Sequence, residues 1–271
     1  MVRLVLIPWL VLSFGCEGCG GSETPVETET PEPSAESSEY GTITGVVRLA
    51  EGVELPTYPP VERADRPVVE ACPPPQRGDR NPVTLLEDRR LAGLMVAASE
   101  FEGAAPPHDP VDHELRIEDC RLTPKTVVAT RGDTLTITNG DEYPFMPGLR
   151  RGAIMQALPQ NDSRTFELPQ GGVQRVECGF SAPCNRADVI ILYHPVHTLT
   201  GDEGRFRLER VPPLPLEIHA WHPLFEEAVL EVEVEAGETK EVELTIRPAA
   251  TAVPNESEPA AEETDSPVTV Q

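Results

Sequence analysis

Residues 126 to 141 read TVVATRGDTLTITNGD, two runs rich in Val, Thr and Ile on either side of Arg131-Gly132-Asp133. Branched side chains in alternation fit a pleated surface with one buried face, and a glycine between the runs supplies the positive φ of a tight reversal. The expected local structure is two strands, TVVAT and TLTITN, closed into a hairpin. Arg-Gly-Asp is also an adhesion motif, but at such a tip the turn chemistry accounts for the tripeptide without a partner.

The same patterning extends outward in both directions. YGTITGVVRL (40–49) and HELRIEDC (113–120) precede the stretch, and SRTFELP (163–169), GVQRVECG (172–179) and ADVIILYHP (187–195) follow it. LLEDRRLAGLMVAA (85–98) offers a helical turn before an apolar strand. Further on, GRFRLERV, LPLEIHAW, AVLEVEVEAG and KEVELTIRP alternate apolar and polar positions between 204 and 248, as half-buried antiparallel strands do. Val229, Leu230, Val232 and Val234, then Val242, Leu244 and Ile246, are expected to close a second hairpin around Ala236-Gly237-Glu238. Short strands at this spacing, with 30 prolines, 20 glycines and 5% aromatics, predict an all-β chain. The expected division is a β-sandwich over 40–186 followed by a smaller β-unit over 187–248.

The ends have a different composition. MVRLVLIPWLVLSFGC opens with one basic residue and an apolar run too short to span a bilayer, then Gly15-Cys16. It resembles a bacterial lipoprotein leader, which implies a signal peptide over 1–15 and a lipidated Cys16 at the mature N-terminus. Seven glutamates and no basic residue lie between Glu17 and Glu39, and five acidic residues and no basic one lie in 249–271. Such segments self-repel and carry too little apolar surface to fold, so 16–39 reads as a disordered acidic tether and 249–271 as a disordered acidic tail. The expected setting is the periplasm or cell surface, with the outer membrane favoured, and the first partner is the membrane that holds the lipid. A formal net charge of -24 argues against nucleic acid, which needs clustered Lys and Arg.

Export implies an oxidising compartment in which cysteines pair. With Cys16 lipidated and Cys19 in the tether, Cys72, Cys120, Cys178 and Cys184 leave three pairings open. The favoured one joins Cys72 to Cys120 and Cys178 to Cys184.

From Tyr40 to Pro248 the chain resembles periplasmic cupredoxin-like proteins of the methylamine-utilisation or plastocyanin-like type. These join a copper-binding β-sandwich to a carboxypeptidase-regulatory-like unit with a transthyretin or carbohydrate-binding-like fold. The likeness rests on Cys120-Arg-Leu-Thr-Pro124, Gly132-Asp133, Asn139-Gly-Asp141, Cys178 at a strand end and His194-Pro195. Thr200-Gly-Asp-Glu-Gly-Arg-Phe206, Val211-Pro212 and Trp221-His222 carry it through the second unit. A blue-copper site needs two imidazoles, a thiolate and a weak axial thioether. The resemblance places the first imidazole at Phe145, the thiolate at Cys178, the second imidazole at Ser181 and the thioether at Cys184, so only the thiolate is kept. VECGFSAPC (176–184) therefore reads as a former metal loop converted into a disulfide-stapled one, with no metal or other cofactor expected. A shifted copper site using Met146 or Met155 is the alternative, because soft sulfur suits Cu(I).

The six histidines offer no convincing chelate in sequence. Pro195 keeps His194 and His197 off one helical face, and odd spacing on a strand sends His219 and His222 to opposite faces. His108 and His113 flank a Pro-rich acidic loop. No G-x-S-x-G, P-loop, H-E-x-x-H or spaced nucleophile and base is present, so no enzymatic activity is expected. The functional expectation is a non-catalytic, lipid-anchored binding or structural module with an unknown protein or glycan partner. Tyr143, Phe145, Met146, Phe180 and Trp221 are its candidate binding surface. The rivals are a copper-binding electron-transfer protein and a carbohydrate-binding module.

Overall fold

Strand patterning fixes where the elements lie. The computed structural model describes residues 39–58, 72, 80–101, 103–149, 156–179 and 184–250. The expected signal peptide, the lipidated Cys16, and most of the tether and tail lie outside the described residues, as do Met155, Phe180 and Ser181. The chain begins with β1 (Gly41–Leu49), β2 (Thr84–Leu85), a 3₁₀ turn (Glu87–Arg89), β3 (Leu91–Ala92) and β4 (Met95–Ser99). Next come β5 (Asp112–Glu118), β6 (Arg121–Thr123), β7 (Thr126–Thr130), β8 (Thr134–Asn139) and β9 (Pro147–Leu149). β10 (Ser163–Glu167), β11 (Gly172–Cys178), β12 (Arg186–Leu192) and β13 (His197–Leu199) follow. β14 (Arg205–Val211), β15 (Leu216–Trp221), β16 (Ala228–Val232) and β17 (Thr239–Ile246) complete an all-β fold. Among the described residues no helix is long and apolar enough to cross a membrane.

The strands form four principal sheets, ordered β14-β1-β17, β13-β4-β15-β16, β7-β12-β11-β9 and β10-β8-β5-β6. The first two enclose one core, with Ile43, Val47, Val96, Ala98, Phe206, Ile218 and Leu244 inside. The last two enclose another, with Leu115, Ile117, Val127, Leu135, Ile137, Phe145, Val189 and Ile191. A third, smaller cluster of Met95, Ala97, Val128 and Ile190, with Leu192, Leu199 and Trp221 packed on it, joins the two middle sheets face to face. Successive side chains point to opposite faces, so β4, β7 and β12 serve two cores at once. That is why MVAA, TVVAT and ADVII read as continuous apolar runs and not as alternation.

Two expectations are corrected here. TVVAT and TLTITN do not pair: β7 lies beside β12, and β8 lies between β10 and β5. The turn between them crosses from sheet to sheet, with the Arg131 N–H donating to Leu192 O and the Gly132 N–H to Leu168 O. Gly132 does take the positive φ, at 101°. The second expected hairpin crosses in the same way, since β16 pairs with β15 while β17 runs parallel to β1. At its turn the Gly237 N–H donates to Tyr40 O. A sheet-crossing corner and a hairpin use the same glycine chemistry and the same flanking alternation, so local sequence does not separate them.

The linear division at 186/187 also differs from the pairing observed. β1 is held by β14 and β17, and β4 by β13 and β15, so residues 41–99 share a core with residues 196–246. The boundary itself falls inside β12, whose Ala187 is buried in the other core. One sandwich is thus inserted into the other: the chain leaves after β4 and returns at β13, the strand hydrogen-bonded to β4.

Candidate functional site

At the end of the inserted sandwich where the resemblance places copper, Asn139 organises the backbone. Its side-chain amide donates to Tyr143 O and Leu158 O, both at 2.9 Å, and its Oδ1 accepts from the Asp141 N–H at 3.0 Å. Asp141 turns its carboxylate to the Asp119 and Cys120 N–H groups. Phe145 is fully buried, exchanges backbone hydrogen bonds with Leu158 and meets Tyr143 edge to face at 5.7 Å. The Met146 carbonyl accepts from the Gly179 N–H, which brings the segment after Asn139 against the end of β11.

Two disulfides are present, Cys72 to Cys120 and Cys178 to Cys184, with Cα separations of 5.6 and 5.4 Å. Cys178 and Cys184 are buried, and the Cys184 carbonyl accepts from Leu122 N–H. Both sulfurs at this end are therefore spent on each other. Among the described residues no group of three His, Cys, Asp or Glu side chains is arranged to hold a metal ion.

The expected binding surface is only partly assembled. Tyr143 and Met146, three residues apart, are half-buried, whereas Phe145 between them faces inward and contributes no surface. Trp221 is at the other sandwich, half-buried against the Met95, Val128 and Ile190 cluster.

Sequence reasoning missed a charged cluster beside this end. Asp188 and Arg186 occupy alternate positions of β12, opposite Arg175 and Glu177 of β11. Arg186 donates Nε and Nη2 to Asp188 Oδ1 at 2.9 and 2.6 Å, and a further Nη2 contact of 2.8 Å reaches Tyr58 Oη. The Tyr58 hydroxyl in turn donates to Asp188 Oδ2 at 3.2 Å. His222 Nδ1 accepts from the Leu224 N–H, which leaves its Nε2 proton facing Asp188 Oδ2 at 3.4 Å. Burial alone would raise the Asp188 carboxyl, but His222 and Arg186 outweigh it and hold it low. Burial pushes His222 down, so a neutral imidazole sits beside the carboxylate. Two charges at i and i+2 inside an otherwise apolar run were the available signal.

The remaining histidines each have a side-chain partner elsewhere in the fold. Asp133, 1% exposed, accepts from His108 Nε2 at 2.6 Å and His113 Nε2 at 2.8 Å, and from the Val111 and Thr130 N–H groups. An adhesion role for the tripeptide thus loses its carboxylate to internal bonds. His197 Nε2 meets Thr130 Oγ1 at 2.9 Å, and His194 packs edge to face on Phe101. His219 lies between Ser99 and Glu227 on the sheet that carries Trp221.

No protein-family model matches the chain, and no curated protein does. Solved structures similar to part of it include a purple cupredoxin from Nitrosopumilus maritimus, at 19% identity and a TM-score of 0.27, covering 30% of this chain and 99% of that one. Amicyanin from Paracoccus versutus is similar at 18% identity and a TM-score of 0.27, over 35% of this chain and 96% of its own. A copper-containing nitrite reductase from Thermus scotoductus is similar at 13% identity and a TM-score of 0.28, over 34% of this chain and 24% of that one.

Proposed function

We propose that this all-β chain is an exported, lipid-anchored envelope module whose former copper end is closed, so that it serves binding or structure and not electron transfer. The observation that supports this is the Cys178 to Cys184 disulfide beside a fully buried Phe145. A thiolate tied into a bridge cannot ligate copper, and a phenyl ring supplies no lone pair where an imidazole would be needed. Two disulfides fit an oxidising compartment. The lipid anchor rests on the leader, Gly15-Cys16 and the acidic stretch after it. Tyr143 and Met146 offer a half-buried apolar rim for a protein partner. The glycan alternative has weaker support, because Trp221, the largest candidate platform, is engaged between the sheets.

The test uses the full chain, exported to the periplasm: one portion is alkylated with and without reduction to count free thiols, and a separate, unalkylated portion is titrated with Cu(I) and Cu(II), as isolated and after reduction. The expected result is a bridged peptide containing Cys178 and Cys184 and no stoichiometric copper. A free Cys178 with one tightly held copper and a thiolate charge-transfer band overturns the reading in favour of copper handling.

A further inference from the structure

Ser99, His219 and Glu227 come from three separate segments, the end of β4, the middle of β15 and the residue before β16. Antiparallel pairing sets Ser99 opposite Glu217 and Ala97 opposite His219, so Ser99 and His219 are diagonal neighbours on one sheet face. Ser99 Oγ lies 2.7 Å from His219 Nε2, and His219 Nδ1 lies 2.8 Å from Glu227 Oε1. This is the order of contacts that activates a hydroxyl: a nucleophile on one ring nitrogen, a carboxylate fixing the tautomer through the other. Glu100, directly after Ser99, adopts φ of 63°, an uncommon conformation for a non-glycine residue, and turns the chain sharply at the serine. The Glu227 side chain is 52% exposed and the Glu217 side chain 35%, while His219 is 18% exposed and Ser99 half-buried, so the group lies at the rim of the sheet with its carboxylates toward solvent.

We propose that Ser99 is a reactive nucleophile toward carboxylic esters, with His219 as its general base and Glu227 as the residue that positions the imidazole. In the step, Ser99 Oγ bonds to the ester carbonyl carbon and its proton passes to His219 Nε2. The adduct collapses with cleavage of the bond to the alcohol oxygen, which leaves with the proton from Nε2. Water, deprotonated by the same nitrogen, then releases the carboxylic acid and restores Ser99. Glu217 Oε2 also lies 3.3 Å from His219 Nε2, and the two glutamates beside the serine favour uncharged or cationic esters over anionic ones. Linear motifs do not report such a group, because its members share no local spacing; the expectation of no catalysis rested on those motifs.

The experiment incubates the full chain with a fluorophosphonate probe and, separately, with p-nitrophenyl acetate. The probe reaction forms an Oγ–P bond and expels fluoride, and peptide mass spectrometry locates the adduct without need of any variant. The expected result is one adduct per chain at Ser99, abolished in Ser99→Ala, and a fall of about 100-fold or more in labelling rate in His219→Ala with unchanged thermal melting. Glu227→Gln lowers the rate and Glu227→Asp restores part of it, which a purely structural role does not require. Absence of an adduct at Ser99 in the folded wild-type chain, or equal ester hydrolysis by wild type and Ser99→Ala, overturns the proposal.

Discussion

The Arg186 guanidinium carbon sits 3.6 Å from the centroid of the Tyr58 ring while two of its nitrogens hold Asp188 Oδ1. One side chain therefore stacks on the segment following β1 and neutralises a carboxylate in the inserted sandwich. His222, from the segment after β15, faces the same carboxylate. The cluster ties together three parts of the chain that are distant in sequence, and it does so without water access to Asp188.

Removing Arg186 leaves that carboxylate buried and uncompensated, which in comparable sites costs about 3–5 kcal/mol. Arg186→Ala is expected to lower the denaturant midpoint accordingly. Tyr58→Phe, which keeps the ring and loses one hydroxyl, is expected to cost about 1 kcal/mol. Urea melts of the two variants check the order; equal losses would show that the hydrogen bond between Arg186 and the Tyr58 hydroxyl, broken in both variants, carries the effect and that the charge pairing and stacking do not.

Acid should weaken the protein in two successive windows. Burial, reinforced by the neighbouring His194, pushes His197 down from 6.5 to about 4, with Asp133 acting in the opposite direction. The unfolded chain takes up that proton first, so stability falls as pH drops from 6.5 towards 4, by about 3 kcal/mol in all. Asp133 is the second group. Burial would raise its carboxyl, but the Val111 N–H, His113, His108 and the Thr130 N–H bring it from 3.8 down to about 2. Its contribution, about 2 kcal/mol, is complete above pH 3.8 and is lost as pH falls through 2. Melting curves across pH should show His197→Gln flattening the upper window and Asp133→Asn the lower.

The six-residue separation of Cys178 and Cys184 and the 48-residue separation of Cys72 and Cys120 predict unequal losses on removal. Restriction of the unfolded chain is worth about 2 kcal/mol for the short loop and about 4 kcal/mol for the long one. Cys72→Ala with Cys120→Ala should therefore lower the melting temperature more than Cys178→Ala with Cys184→Ala. The reverse order would indicate that the short bridge maintains the core beneath Phe145 and does more than close its own loop.

Strand positions were legible because burial on one face repeats every second residue, as in β1, β8 and β15. Partners were not legible. Gly132 and Gly237 announce turns, yet each turn leads to the opposite sheet, and only the long-range pairing of β1 with β17 and β4 with β13 reveals the insertion. The cysteine pairing was within reach of compartment and spacing. The Tyr58, Arg186, Asp188 and His222 cluster was not, since its members lie 164 residues apart at the extremes and meet only when the two middle sheets stack.

Gly45 tests that insertion at its root. It lies within β1, opposite Phe206 of β14 on one side and Val242 of β17 on the other. A Cβ at this position would stand 2.1 Å from Val242 O and 2.9 Å from the Phe206 ring. The ring can rotate, but the Val242 carbonyl belongs to the parallel ladder and cannot retreat without opening it. Gly45→Ala is expected to cost about 1–3 kcal/mol, the range for overpacking a closed core. Hydrogen exchange should locate the loss: amides of β1, β14 and β17 exchange faster, while those of β8 and β11 in the inserted sandwich keep their protection. Uniform loss of protection across both cores would instead mean that the two sandwiches unfold as one cooperative unit, held by the contacts of Met95, Val128 and Ile190 between the middle sheets.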